Sequence, residues 1–310
     1  MVRYILKRTV LLVPVLLGIT LCTFALLKTL PGDPVLSLVG ERASPETIAL
    51  MREHLGADRG LFEQYRGYLG LLLRGDFGRS YYTGRPVRAD MASKFPNTLM
   101  LAFGALLAAV PLGVTAGFLS AFFRERMIGR CIDGCAMAAL SVPVFWSAII
   151  IMMVMSLQMK WFPPSGTGGI RFLVLPCLVL AIPAMATLCR VTKTAVVDVL
   201  RMPCILTARA KGLPQASITA VHVLKNAVIP IVTVIGLDFG SYLNGAVVTE
   251  TIFGWDGIGR FTMEGIIKRD YPVIMGCIII GTVTFVVVNL ITDLLYHALD
   301  PRIRIHVKDR

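Results

Sequence analysis

Charge is scarce in this chain of 310 residues: only 16% are Asp, Glu, Lys or Arg, and the 19 acidic residues are outnumbered by 31 basic ones. With 55% of residues apolar and a mean hydropathy of +0.73, the composition is not that of an ordinary soluble domain. Histidine is rarer still. The four residues, His54, His222, His297 and His306, fall in loops or at the ends of apolar runs, never together. The seven cysteines follow neither a zinc nor a disulfide spacing; Cys131 and Cys135 share a helical face and the other five are scattered. No metal site is therefore expected. A Gly-x-x-x-x-Gly-Lys-Ser/Thr phosphate loop is missing, so this chain does not bind ATP in that manner. Ser/His/Asp and His-Glu-x-x-His arrangements are missing too, which argues against an intramembrane enzyme, and nothing resembles a channel filter. The net charge of +12 does not point to nucleic acid, because the basic residues flank apolar runs, as membrane topology demands.

What the chain has is length in those runs. Six stretches are long enough to cross a bilayer: 9–27, 98–123, 134–159, 172–188, 227–248 and 273–295. The first follows Arg3, Lys7 and Arg8, but it is too long for a signal-peptide core and lacks a cleavage site, so it reads as a retained helix. Basic residues in the short loops place Arg124, Arg126 and Arg130 with the N-terminus in the cytoplasm, together with the basic residues of 190–226 and the tail's Arg302, Arg304, Lys308 and Arg310. Both termini are expected inside. The expected organisation is a tip and first span (1–30), an outer segment (31–97), a five-helix core (98–295) and a cytoplasmic tail (296–310).

The outer segment has helical signals of its own, with Ser44-Pro45 as a start, Gly56 as a stop, and a second helix over 61–74 ending at Gly75. A lid-like layer is expected there. Within the spans, Gly113-x-x-x-Gly117 and Gly236-x-x-x-Gly240 are small-residue pairs that let helices approach closely. Asp238 sits in the fifth run, where a carboxylate must face a cavity or a partner, and Ser241, Tyr242 and Gly245 lie on about the same face. That face suits either a substrate path or an interhelical hydrogen bond. Asn289 and Asp293, one turn apart near the inner end of the last run, suit a structural helix contact. No internal repeat is visible, which counts against an inverted-repeat transporter.

The segment 190–226 is charged, rich in small residues, and flanked by spans on both sides. Ala208 and Ala210 keep its surface small, Arg209 and Lys211 add positive charge, and Gly212 can end a short helix in the left-handed conformation. Pro214 blocks continuation and opens a next helix with Ile218, Val221 and Leu224 on one side. On composition alone, a docking surface and a plain connecting loop both remain open.

The residues Thr207-Ala-Arg-Ala-Lys-Gly-Leu213, with His222 and Leu224-Lys-Asn226 following, resemble the EAA loop of ABC importer permeases. More closely, the chain resembles the dipeptide/oligopeptide/nickel (DppB/OppB/NikB-like) permease family along nearly its whole length. Leu30-Pro-Gly-Asp-Pro34, Gly75-Asp-Phe-Gly78, Arg85-Pro-Val87, Thr249-Glu-Thr-Ile-Phe253, Arg269-Asp-Tyr-Pro-Val273 and Leu299-Asp-Pro-Arg302 all occur in the family's order. The resemblance implies an all-α membrane protein of six spans with the type I importer permease (MetI-like) fold, in a bacterial inner membrane. It implies a second homologous permease, two cytoplasmic ABC ATPases that bind ATP and Mg in place of this chain, and an external substrate-binding protein. Thr207, Ala208, Arg209, Ala210, Lys211, Gly212, Leu213, His222 and Asn226 would couple to the ATPases, and no residue would be catalytic. Two departures stand out: Met202, Pro203, Cys204 and Leu206 replace the family's charged and aromatic residues, with Pro203 stiffening the approach, and Asp256 replaces a proline after Trp255. Short peptides are the expected cargo, with nickel or glutathione as alternatives. An ion-coupled transporter using Asp238 would instead work without an ATPase, and a scaffold would move nothing.

Overall fold

The computed structural model describes residues 2–29, 35, 44–55, 60–244 and 246–299. Among these the chain is helical almost throughout, with one isolated antiparallel bridge between Arg79 and Pro86. Residues 30–34, Gly56, Gly245 and the tail beyond residue 299 lie outside the described residues, and with them several of the motifs expected above.

The N-terminal helix α1 (Val2–Thr29) contains the first apolar run, whose shorter apolar core is Val13–Ala25. In the outer segment, α2 (Pro45–Leu55) opens where Ser44 Oγ accepts the Thr47 N–H at 3.2 Å, and α3 (Leu61–Leu73) stops before Gly75 at φ +69°. The next helix, α4 (Val87–Phe122), begins about three turns before its apolar run. The last residues of the expected outer segment therefore belong to it, as polar turns extending past the apolar stretch.

The third expected span, 134–159, is not straight. It divides into α5 (Met127–Ser141) and α6 (Val144–Gln158), which meet at 100°. Pro143 has no N–H to donate and its ring pushes Val142 out of helical space to φ −87°, ψ 123°, so the chain must turn there. The second half of α6, Met152–Gln158, is wound as a π-helix.

At the centre of the fold stands α7 (Ile170–Leu200), against which α4, α5 and α9 pack. It continues about three turns beyond the expected 172–188, so residues 190–200 are helix rather than loop. After α8 (Pro203–Ala210) the chain enters α9 (Gln215–Leu243), then two short helices, α10 (Val247–Ile252) and α11 (Ile258–Lys268), and finally α12 (Tyr271–Leu299). Among the described residues four helices, α4, α7, α9 and α12, are long and apolar enough to cross a membrane, and the bent pair α5–α6 makes up to five. Large apolar side chains remain exposed on these helices, Phe103, Leu107 and Leu237 among them, as lipid or a neighbouring subunit requires.

Candidate functional site

Helix α8 owes its limits to three residues. Met202 sits in extended space at φ −69°, ψ 145°, and Pro203 follows at the first turn, where its missing N–H costs nothing. At the other end Gly212 has φ +74°; its N–H reaches Arg209 O at 2.9 Å, while the Leu213 N–H reaches Ala208 O at 3.3 Å. Those two bonds are a Schellman closure, and they hold because glycine alone takes that φ without a Cβ penalty. The helix thus starts at Pro203 and ends where Gly212 was expected to end it.

Its two faces differ. Ile205 and Ala208 are buried in a cluster with Val199, Ile218 and Val223, so α8 is seated on its own chain. Ala208 therefore does not open a surface to a partner, contrary to expectation; it is spent on internal packing, and Ala210 is exposed. Thr207, Arg209, Lys211 and Leu213 point outward, joined by Met202, Cys204 and a Leu206 that is 59% exposed. Cations and apolar knobs therefore share one outward face above an apolar seat.

Pro214 caps the start of α9 as expected, but the face expected there is not the buried one. Val221 and Leu224 are exposed, whereas Ile218, Val223, Ala227 and Ile231 are buried. The cause is the π-helical turn Ile218–Val223: its i→i+5 hydrogen bonding widens the turn and carries the buried position from 218 to 223 before the α-spacing resumes. His222 is half-buried, and its carbonyl accepts the Asn226 Nδ2–H at 2.7 Å.

In the spans, a Cβ on Gly113 would come within 2.7 Å of Met185 O, and one on Gly117 within 2.5 Å of Cys189 O, both on α7. Gly236 and Gly240 of α9 lie against Thr292 and Phe285 of α12. Asn289 and Asp293 are half-buried on the same helix, beside the buried Val288 and Thr292. Asp238 is half-buried with its Oδ2 enclosed and lacking a hydrogen-bond partner among the described residues. Ser241 is exposed, and the Tyr242 hydroxyl donates to Leu180 O at 2.8 Å, so it is committed to α7. Gly245 falls outside the described residues.

The end of the bundle that carries α10 and α11 holds residues that no local pattern revealed. Glu250 is completely buried; it accepts the Thr98 hydroxyl at 2.8 Å and the Arg260 N–H at 2.9 Å, in the first turn of α11. Burial pushes its carboxyl above the ordinary range, against the pull of those donors. Trp255 is buried beside it with Nε1 donating to Asn97 O at 3.0 Å, and Asp256, the expected minor departure, pairs with Lys94. Asp270 is likewise buried, accepting the Ser80 hydroxyl at 2.5 Å and the Tyr81 N–H at 3.1 Å. At the opposite end Lys193 of α7 pairs with Asp133 of α5, which also accepts the Ser120 hydroxyl at 2.6 Å.

Comparison with known proteins gives a consistent picture. The profile of the family described as "Binding-protein-dependent transport system inner membrane component" matches residues 91–305, and that of the family's N-terminal region matches 1–102. The di/tripeptide transport system permease protein DppB of Pseudomonas aeruginosa (strain UCBPP-PA14) is 38% identical, covering 98% of this chain and 99% of the relative. The glutathione transport system permease protein GsiC of Escherichia coli (strain K12) is 36% identical with the same coverage of each. In fold, the chain is similar to a solved structure of the MetNI methionine ABC transporter in an inward-facing conformation, with a TM-score of 0.59 at 15% identity over 68% of this chain and 96% of that one.

Proposed function

This chain belongs to the family of binding-protein-dependent transport system inner membrane components, and from that premise we propose how its surfaces are used. It is a multi-pass permease subunit of an ATP-driven ABC importer and breaks no bond itself. Helix α8 is the surface that a cytoplasmic ATPase grips. The observation that carries this is its two-faced construction: Ile205 and Ala208 fix it to the body, while Leu206, Arg209, Lys211 and Leu213 are left outward. A helix seated that way passes displacement into α7 and α9 instead of absorbing it. Two ATPases grip two such helices, one on this chain and one on a homologous second permease, and an external binding protein delivers the cargo. Both termini lie in the cytoplasm. Closure of the ATPases around ATP draws the two helices together and opens the path outward, along the α9 face that carries Asp238, Ser241 and Tyr242.

The cargo is a short peptide. Relatives named for di/tripeptides and for glutathione, itself a tripeptide, support that class. The test is ATP hydrolysis by the complex reconstituted in lipid with its binding protein, challenged with di-alanine, glutathione or a nickel chelate. Stimulation by the peptides is expected, and the double variant Leu206→Asp, Arg209→Glu should lower it at least about tenfold while the second permease still co-purifies. Hydrolysis unchanged in that variant would remove α8 from the coupling role. Stimulation by the nickel chelate alone would replace the cargo and leave the coupling standing.

A further inference from the structure

We infer that a cleft at the inner end of α7 binds the two charged ends of a short zwitterionic peptide, as the last station before the cytoplasm; this rests on the importer reading above. The cleft, about 480 Å³, lies between α5, α7 and α9 and is lined by Leu140, Thr187, Arg190, Thr194, Asp198 and Pro230, among others. Its volume is within the range of small-ligand sites, roughly 300–1,000 Å³. Positions 187, 190, 194 and 198 recur at helical spacing and form one stripe. Along it Arg190, Thr194 and Asp198 are exposed, while Leu188, Thr192, Val196 and Val199 on the other faces of α7 are buried.

Among the described residues, neither Arg190 nor Asp198 makes an ion pair, although Lys193 between them is paired with Asp133. Both threonine hydroxyls of the stripe are turned to the backbone, Thr187 to Pro183 O and Thr194 to Arg190 O, which leaves the two charges as its outward chemistry. The cleft therefore presents one cation and one anion, with the Lys193-paired Asp133 near enough to feel the charge of Arg190. A purely anionic ligand meets Asp198 unfavourably and a purely cationic one meets Arg190; a molecule with opposite charges at its two ends satisfies both. Eight residues of helix separate them by about 12 Å of rise, the length of roughly three to four extended residues at about 3.3 Å each. The guanidinium fork suits a terminal carboxylate, and the Asp198 carboxylate suits an ammonium. Leu140 and Pro230 offer an apolar wall with no demand on side-chain identity. A phosphatidylethanolamine headgroup is also zwitterionic, but its charges are one ethanolamine apart, too close to reach both residues.

The test uses the whole complex, with partner permease and ATPases, in nanodiscs and without nucleotide or binding protein. Titration with radiolabelled tri-alanine should saturate. N-acetyl-tri-alanine and tri-alanine amide should each bind at least about tenfold more weakly, and Arg190→Gln and Asp198→Asn should weaken tri-alanine by a similar factor. Both positions are exposed, so the variants should assemble as the wild type does on size exclusion. No saturable binding, alongside normal peptide uptake once binding protein and ATP are supplied, would overturn the cleft and spare the importer reading. Absence of peptide uptake by the complete system would overturn that reading itself. Phosphatidylethanolamine retained by the wild type and lost from both variants in native mass spectrometry would make the cleft a lipid site instead.

Discussion

Glu250 has no accessible surface, yet its donors come from Thr98, 152 residues earlier, and from the first turn of α11. A carboxylate at a helix N-terminus is favoured by the free N–H groups there, but removing it from water opposes that gain. Burial wins, and the fold holds the proton more tightly than the unfolded chain does. Unfolding then releases a proton, so stability should fall as pH rises from the ordinary value of 4.5 through the raised folded value, and be level above it. The Glu250→Gln variant should lose that slope. Thermal scans in detergent across this range would decide it, and a slope unchanged in the variant would assign the dependence to another group. A Cβ at Gly257 would strike this carboxylate, and one at Gly259 would strike the Val247 backbone first. None of this was legible in the sequence. Glu250 was visible only as one letter of a motif, and its partners lie too far along the chain for spacing to reveal them.

At the scale of elements, the α4–α7 seam depends on missing side chains. Gly117→Val would place a Cβ against Cys189 O and Thr192 Cβ, each within about 2.6 Å, and should cost about 1–3 kcal/mol in detergent unfolding. Gly134 has open space around its Cβ position, so Gly134→Ala should be neutral or stabilising by up to about 1 kcal/mol. Equal effects at the two sites would mean helix propensity, not the seam, governs stability here. The small-residue pair at 113 and 117 was readable because its spacing is local. The stop at Gly212 and restart at Pro214 were readable for the same reason. The break at Val142–Pro143 was not, since apolar residues on both sides preserve the look of one span. The π-turn in α9 was also hidden, because 218, 221 and 224 are as apolar as 218, 223 and 227, and only packing chooses between the two stripes.

For the whole molecule, the apolar runs and their order carried most of the architecture, since each bilayer crossing needs a long run of apolar residues. The side-to-side arrangement of helices was not in that pattern; it comes from seams, buried carboxylates and the bend. Sidedness makes a direct prediction. Alkaline phosphatase fused after Ser165 should be active outside the cytoplasm, whereas fusions after Leu213 or at the C-terminus should be inactive there and fluoresce as green fluorescent protein fusions. An active C-terminal phosphatase fusion would reverse the proposed orientation.

Helix α7 runs unbroken for 31 residues, about 46 Å at 1.5 Å per residue, and its inner end leads through Arg201 and Met202 directly into α8. It can therefore be treated as a crowbar with its fulcrum at the glycine seam. A tilt of about 10° around its midpoint carries each tip about 4 Å, in opposite directions. A stroke of that size is comparable to the width of an extended peptide backbone, about 4.7 Å. Because the two tips move in opposite directions, a tilt that widens the space beside one narrows it beside the other, and Pro176 and Pro183, which lack an N–H, mark the half of the rod where it bends most easily.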